Sequence, residues 1–128
     1  MKHLGNCDPD DFMAQAIKLR APLAAWIEKV GAPGIRKRAR DGYDKLTSEE
    51  KARVNNVYLG ELIFEGLNAA PELSRECLCI ATFVEPDHFA DHNMMEYIEA
   101  AFEMYGNATL RSFFTFIVAP LLGTSSEE

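Results

Sequence analysis

Apolar residues recur at intervals of three and four along most of this chain, and this spacing constrains the fold more than any other feature. The segment after Asn93 shows it most regularly, and a second segment with the same spacing follows Asn107. Residues at these intervals share one face of an α-helix, whereas a half-buried strand would alternate apolar and polar residues. No alternating segment and no internal repeat is found. The pattern predicts an all-α fold of five to six helices, arranged as a bundle or an orthogonal array.

The spacing also predicts which side of each helix is buried. The helix after Asn93 is expected to point Glu96, Glu99 and Glu103 outward. Its inward face is then Met94, Met95, Ile98, Ala101, Phe102 and Tyr105. In the helix after Thr47, the expected inward face is Val54, Val57, Tyr58, Leu62, Ile63 and Leu67.

Several helix boundaries carry local signals. Asp8 and Asn107 are suited to accept the free N–H groups of a first helical turn, and Thr47 with Glu50 forms a capping box. Pro22 lies inside the first helical segment, where it removes a backbone hydrogen bond and crowds the preceding turn. A kink or a break is therefore expected at Pro22.

The length of 128 residues fits one domain. Residues 1–122 are expected to form a single helical domain, and residues 123–128 a disordered tail. No signal peptide and no run of about 18 apolar residues is found, so a cytoplasmic protein without a membrane span is expected. The three cysteines, an odd number, fit reduced thiols better than a disulfide framework.

Charge is divided unevenly along the chain, whose formal net charge is −7. Residues 1–53 carry 11 Lys/Arg and 8 Asp/Glu, whereas residues 54–128 carry 2 and 12. Opposite ends of neighbouring copies can attract each other, so self-association stays open. The acidic total argues against nonspecific binding of nucleic acid, which depends on neutralising phosphates.

A basic cluster is the strongest local charge feature of the sequence. It consists of Arg36, Lys37, Arg38 and Arg40. A solvated loop is one interpretation, and a surface for an acidic protein partner, including the C-terminal half of another copy, is a second. Nucleic acid is a third, although no recognition-helix pattern or interleaved aromatic residue accompanies the cluster.

Phe116 lies off the apolar stripe of the last helix. With Leu121 and Leu122 beyond Pro120, it is a candidate for an exposed apolar patch, and such patches often mark partner sites. The alternative is a helix buried on two sides. Either way, these three residues are the apolar candidates for partner binding.

Metal-ligand residue types occur at Cys77, Cys79, His88 and His92. Residues two apart on a helix point in very different directions, so one ion cannot reach both thiols. His88 and His92 would share a helical face, but the segment is typical of a solvated acidic loop. A metal-dependent enzyme using these histidines is an alternative; our prediction is no metal and no cofactor.

No motif for nucleophilic or nucleotide chemistry is found. Cys7 lies just ahead of a helix N-terminus, where a thiolate is favoured, but an N-terminal loop lacks the pocket that catalysis needs. We therefore expect no catalytic residue and no enzymatic activity, and the helices are expected to bind another protein. An adaptor or regulatory protein, associated with nucleic acid through residues 36–40, is an alternative.

The opening Cys-Asp-Pro-Asp-Asp-Phe-Met of residues 7–13 resembles the C-x-P-D-D-F opening of phage tail assembly chaperones, small helical proteins from prophages of gut Firmicutes. Similar motifs follow in the same order over most of the chain. They are Trp26 with Ile27-Glu28, the Ile-Arg-Lys-Arg of residues 35–38, the Phe-Val-Glu-Pro of residues 83–86, and the Phe-Phe-Thr of residues 113–115. Pro22 and residues 31–34 depart from the pattern.

The resemblance implies a function in the bacterial host cytoplasm. Such chaperones bind the long, hydrophobic, helical tape-measure protein of a tailed phage, keep it soluble, and help to recruit tail-tube subunits. Some are also made in a longer form by ribosomal frameshifting. The resemblance therefore implies the tape-measure protein and the tail-tube subunits as partners, without a membrane or a cofactor.

Overall fold

The computed structural model describes residues 1–31 and 45–122, and every regular element within them is helical. A 3₁₀ helix, Pro86–Asp91, separates the third and fourth α-helices. The five α-helices are α1 (Pro9–Val30), α2 (Ser48–Ala69), α3 (Pro71–Thr82), α4 (Met94–Gly106) and α5 (Ala108–Val118). The predicted all-α fold of five to six helices is confirmed for this part of the chain. The predicted tail at residues 123–128 lies outside it.

The predicted helix starts are confirmed. Asp8 accepts a hydrogen bond from the Asp11 N–H at 2.8 Å, and the capping box of Thr47 and Glu50 is complete. Asn107 accepts from the Leu110 N–H at 3.0 Å. These starts depend on side chains three residues apart, and for this reason the sequence alone identifies them.

Of the kink or break expected at Pro22, the break is wrong, because α1 continues through Pro22 to Val30. Buried side chains lie on both sides of the proline, with Leu19 before it and Ala24 after it. Packing of both halves therefore holds the helix together. The carbonyl that loses its helical partner belongs to Lys18, an exposed residue that water can reach.

The core forms where α1, α3, α4 and α5 meet. α3 lies at the centre and contacts α1, α2, α4 and the 3₁₀ helix. The main cluster of buried residues is Leu4, Leu19, Ala81, Ala100, Met104 and Leu110. A smaller cluster, Val30, Tyr58 and Leu62, joins α1 to α2. Among the described residues, no helix is both long and apolar enough to cross a bilayer.

The face of α4 that was expected to be buried is not the buried face. Tyr97, Ala100 and Met104 are buried instead, and Tyr97, with 0 % exposure, donates a hydrogen bond to the Phe89 carbonyl at 2.8 Å. Their spacing is also helical, so α4 has two apolar faces. Every member of the expected inward set is half-buried or exposed: Met94, Met95, Ile98, Ala101, Phe102 and Tyr105.

The expected inward face of α2 is wrong in part. Tyr58 and Leu62 are buried, as expected, together with Leu59. Val57 and Leu67 are exposed, because α2 contacts its neighbours over only part of its circumference.

Candidate binding cleft

A cleft of about 890 Å³ opens among all five α-helices. One wall is the second apolar face of α4, formed by residues at positions i, i+4, i+7 and i+11: Met94, Ile98, Ala101 and Tyr105. At this spacing a helix presents a continuous apolar stripe. The stripe is about 17 Å long, which is three helical turns.

The other helices complete a lining that is largely apolar. α2 contributes Leu62 and Ile63, and α3 contributes Cys77 and Leu78. Among the described residues that line the cleft, Arg111 is the only charged one. Its guanidinium donates to the Tyr105 carbonyl and lies 5.1 Å from the centre of the Tyr105 ring. The Arg111 guanidinium therefore already interacts with Tyr105. A ligand in the cleft would contact mainly apolar side chains.

Trp26 lines the cleft where α1, α2 and α3 cross. Its indole N–H donates to the Ser74 hydroxyl oxygen at 2.8 Å. Gly66 permits the close approach, since a Cβ there would lie 2.7 Å from two atoms of the Trp26 ring. This hydrogen bond gives the indole N–H a partner and fixes the orientation of the ring.

The structure places two of the three predicted apolar residues at the cleft. Phe116 lines it and is 77 % exposed, which contradicts the alternative of a last helix buried on two sides. Leu122 also lines the cleft and is half-buried. Leu121 is exposed but does not line the cleft. That these residues bind a partner stays a prediction.

The predicted basic cluster of Arg36, Lys37, Arg38 and Arg40 lies outside the described residues. The interpretations of this cluster as a loop, a protein surface or a nucleic-acid surface therefore stay open.

The candidate metal ligands are not gathered in one place. Among the described residues, no three His, Cys, Asp or Glu side chains could hold one ion. His88 pairs with Asp91 at 2.9 Å, and this hydrogen bond raises the pKa of His88; His92 pairs with Glu96 at 3.0 Å. Both histidines therefore contact a carboxylate on the next turn.

The thiols are poor nucleophiles at neutral pH. Burial raises the pKa of Cys77 to about 12, so almost no thiolate forms there. The expectation that a thiolate is favoured at Cys7 is not met, because desolvation raises the pKa of Cys7. The Cys7 thiol lies 3.9 Å from the Leu4 carbonyl, which fits a structural contact.

Sequence reasoning missed the cleft-lining function of α4, because its stripe was assigned to the core. It also did not predict the exposure of Phe64 on α2, which is 67 % exposed and does not line the cleft. A signal for the first was available: with Tyr97, Ala100 and Met104 added to the stripe, α4 is apolar around most of its circumference. Such a helix either is buried on all sides or turns one face to a ligand.

Comparison with protein-family models, curated proteins and solved structures finds no match to this chain. Functional inference therefore depends on the cleft and on the sequence motifs.

Proposed function

We propose that this protein is a phage tail assembly chaperone, and that it holds an amphipathic helix of the tape-measure protein in its cleft. The observation that carries the proposal is the orientation of α4, whose half-buried stripe from Met94 to Tyr105 lines an open cleft. Contiguous apolar patches of roughly a few hundred Å² on soluble proteins often mark binding sites. Laying an amphipathic helix into an apolar groove is a common way of covering such a surface.

The extent of the apolar surface favours a helix over a small molecule. A volume of about 890 Å³ alone would suit a small ligand as well. The apolar surface continues outside the cleft, however, to the exposed side chains of Phe116 at its rim and of Met95, which follows the lining residue Met94 on α4. A small ligand inside the cleft would leave these two exposed, whereas a partner helix of several turns can contact them.

Chaperoning of this kind needs only reversible burial of apolar surface. The tape-measure protein is long and hydrophobic in the phages to which the resemblance points, so its free helices would aggregate. A chaperone that covers one stripe of such a helix keeps it soluble, and it releases the helix when tail-tube subunits take its place. The resemblance adds the tail-tube subunits as a second set of partners.

Co-expression with the tape-measure protein that this proposal requires in the same genome tests it. We expect the two proteins to purify together, and we expect Phe116→Glu to reduce the captured tape-measure protein about tenfold or more, because it places a charge at an apolar anchor. Phe116 is largely exposed in the free protein, so its replacement should change stability by no more than about 0.5 kcal/mol.

Ile17→Glu is the matched control. Ile17 is 79 % exposed on α1 and does not line the cleft. A glutamate introduced there should therefore leave the capture of the tape-measure protein intact. If the wild-type protein captures no tape-measure protein, the proposed function is wrong. Equal loss of capture in both variants would show that the cleft is not the site.

A further inference from the structure

The charged side chain of the cleft lining, Arg111, lies on the face of α5 that borders the cleft. Arg111, Thr115 and Val118 all line the cleft, and they follow one another at i, i+4 and i+7 on this helix. Residues at this spacing share one face of a helix. Arg111 is half-buried there. A ligand that fills the cleft therefore contacts Arg111 directly.

Arg111 also marks one end of the apolar stripe of α4. It lies near the start of α5, and its guanidinium carbon is 5.1 Å from the centre of the Tyr105 ring, which ends the Met94 to Tyr105 stripe. The Tyr105 ring centre lies 6.2 Å from that of Tyr58 on the opposite helix α2. A helix laid along the α4 stripe would therefore reach the guanidinium with one of its ends.

The guanidinium has more donors than the protein uses. It carries five N–H groups, and one of them donates to the Tyr105 carbonyl. Within residues 1–31 and 45–122, no carboxylate lies within ion-pair distance of Arg111, and no Asp or Glu lines the cleft. The other N–H groups are therefore left to water while the cleft is open.

A helix seated in the cleft would displace this water. An apolar side chain placed over Arg111 would leave a desolvated charge whose N–H groups lack acceptors, and this is costly. A lysine there would place two like charges together. A carboxylate would accept two N–H groups at once, in the paired arrangement that suits a guanidinium.

We infer that the partner helix carries an Asp or Glu at one end of its apolar stripe, and that this carboxylate pairs with Arg111. The inference rests on the proposed function and specifies the chemistry of the helix that the cleft accepts. Apolar anchors contact the Met94 to Tyr105 stripe, and the carboxylate meets the guanidinium where α4 ends and α5 begins. The net charge of −7 does not attract a carboxylate from a distance, so the preference arises from direct contact with Arg111.

A fatty acid would supply a carboxylate and an apolar chain as well. It would leave Phe116, which is 77 % exposed at the rim of the cleft, as uncovered as before. A helix of several turns can reach both Arg111 and this rim. The helix is therefore the occupant that matches the charge and the apolar surface together.

Three synthetic peptides test the inference. Each forms a helix of about 18 residues with the same stripe of Leu and Phe, no tryptophan and neutral flanks. They differ at one position at the end of the stripe, which is Glu, Gln or Lys. The protein has one tryptophan, Trp26, and it lines the cleft, so its fluorescence reports binding directly. We expect the Glu peptide to bind about tenfold more tightly than the Gln peptide, and the Lys peptide to bind most weakly.

Arg111→Met locates the effect, because methionine keeps an unbranched apolar side chain and removes the guanidinium. The Glu and Gln peptides should bind this variant equally. Since both peptides meet the same variant, any general effect of the substitution on the cleft cancels in their ratio.

The matched control is Arg20→Met. Arg20 also donates to a backbone carbonyl, that of Ile117 at 2.7 Å, but it is exposed and does not line the cleft. This variant should keep the full preference for the Glu peptide. Circular dichroism verifies that both variants fold, and the ranking of the three peptides on the wild type decides the inference even if Arg111→Met does not.

Equal affinity of the wild type for the Glu and Gln peptides overturns the inference, and so does a preference for Glu that persists in Arg111→Met. Tighter binding of dodecanoate than of the Glu peptide would overturn it by making a small amphiphile the occupant. A dimer that the peptide dissociates, seen by light scattering, would do the same for a second copy. The proposed function fails separately: capture of the tape-measure protein without a preference for Glu contradicts the inference alone, and the preference without capture contradicts the function alone.

Discussion

At the scale of single residues, the contact among Trp26, Gly66 and Ser74 shows how tightly the helices beside the cleft are packed. The Trp26 ring lies against the backbone of Gly66 and donates its N–H to Ser74, so one residue from each of three helices is involved. Only a residue without a Cβ allows this approach. A rigid ring held by a hydrogen bond cannot move aside as a flexible side chain would.

Gly66→Ala tests this packing. The added Cβ would lie 2.7 Å from the Trp26 ring and 2.9 Å from the Ser74 hydroxyl oxygen. We expect the free energy of unfolding to fall by about 1–3 kcal/mol, as in other overpacked sites. Chemical denaturation monitored by circular dichroism measures the change.

Gly60→Ala is the control on the same helix. Nothing lies within 4 Å of a Cβ at residue 60, so alanine should only favour the helix. It should raise the free energy of unfolding by about 0.5–1 kcal/mol. A Gly66→Ala variant that is as stable as Gly60→Ala would show that the α1–α2 crossing is looser than the structure indicates.

At the scale of elements, the N-terminal segment ahead of α1, residues 1–8, contacts both α3 and α4 and links them. The Leu4 N–H donates to the Ala81 carbonyl at 3.1 Å, and the Leu4 side chain is buried. The His3 ring accepts the Gly5 N–H at Nδ1, 2.9 Å away, and Nε2 lies 2.7 Å from a Glu103 carboxylate oxygen. Because Nδ1 accepts, this network assigns the proton of neutral His3 to Nε2, which donates to Glu103.

His3→Ala should weaken this attachment. The Gly5 N–H and the Glu103 carboxylate each lose a partner, and the buried imidazole leaves a void. We expect a loss of about 1–3 kcal/mol in the free energy of unfolding. Faster hydrogen exchange at the Leu4 amide would place the effect in this segment.

The control for this variant is Lys2→Ala, one residue away. Lys2 pairs with Asp11 at the surface and lies 4.5 Å from the centre of the Phe83 ring, and because such exposed contacts contribute little, Lys2→Ala should destabilise the protein less than His3→Ala. If the rate of hydrogen exchange at the Leu4 amide is unchanged in His3→Ala, His3 does not attach α3 to α4.

At the scale of the whole molecule, the five α-helices share their apolar surface between two places. One is the core around α3, and the other is the cleft. The two adjoin, because Leu19, Ala81 and Met104 belong to the core cluster and also line the cleft, and the half-buried Met94 to Tyr105 stripe of α4 forms another part of its wall. The protein therefore keeps a preformed apolar surface while it is folded.

A fluorescent apolar dye distinguishes this surface from loose packing. We expect 8-anilinonaphthalene sulfonate to bind the folded protein while near-ultraviolet circular dichroism keeps its full tertiary signal. Ile98→Glu, which places a charge in the cleft wall, should reduce dye fluorescence severalfold, because the lining becomes polar. Dye binding accompanied by loss of the near-ultraviolet signal would identify a molten state instead.

The sequence alone determined that the fold is helical and where helices such as α1, α2 and α5 begin, whereas packing decided that α1 continues through Pro22. Caps such as Asp8, Thr47 and Asn107 act on backbone groups three residues away, and an apolar stripe needs only its own helix to be recognised. The sequence did not determine which stripe of α4 is buried, because both stripes have helical spacing. In the tertiary structure, the buried residues of α4 are Tyr97, Ala100 and Met104. His3 is also buried, and it contacts Glu103, which is 100 positions away in the chain. Burial depends on neighbours that are distant in the chain, and no local pattern specifies them.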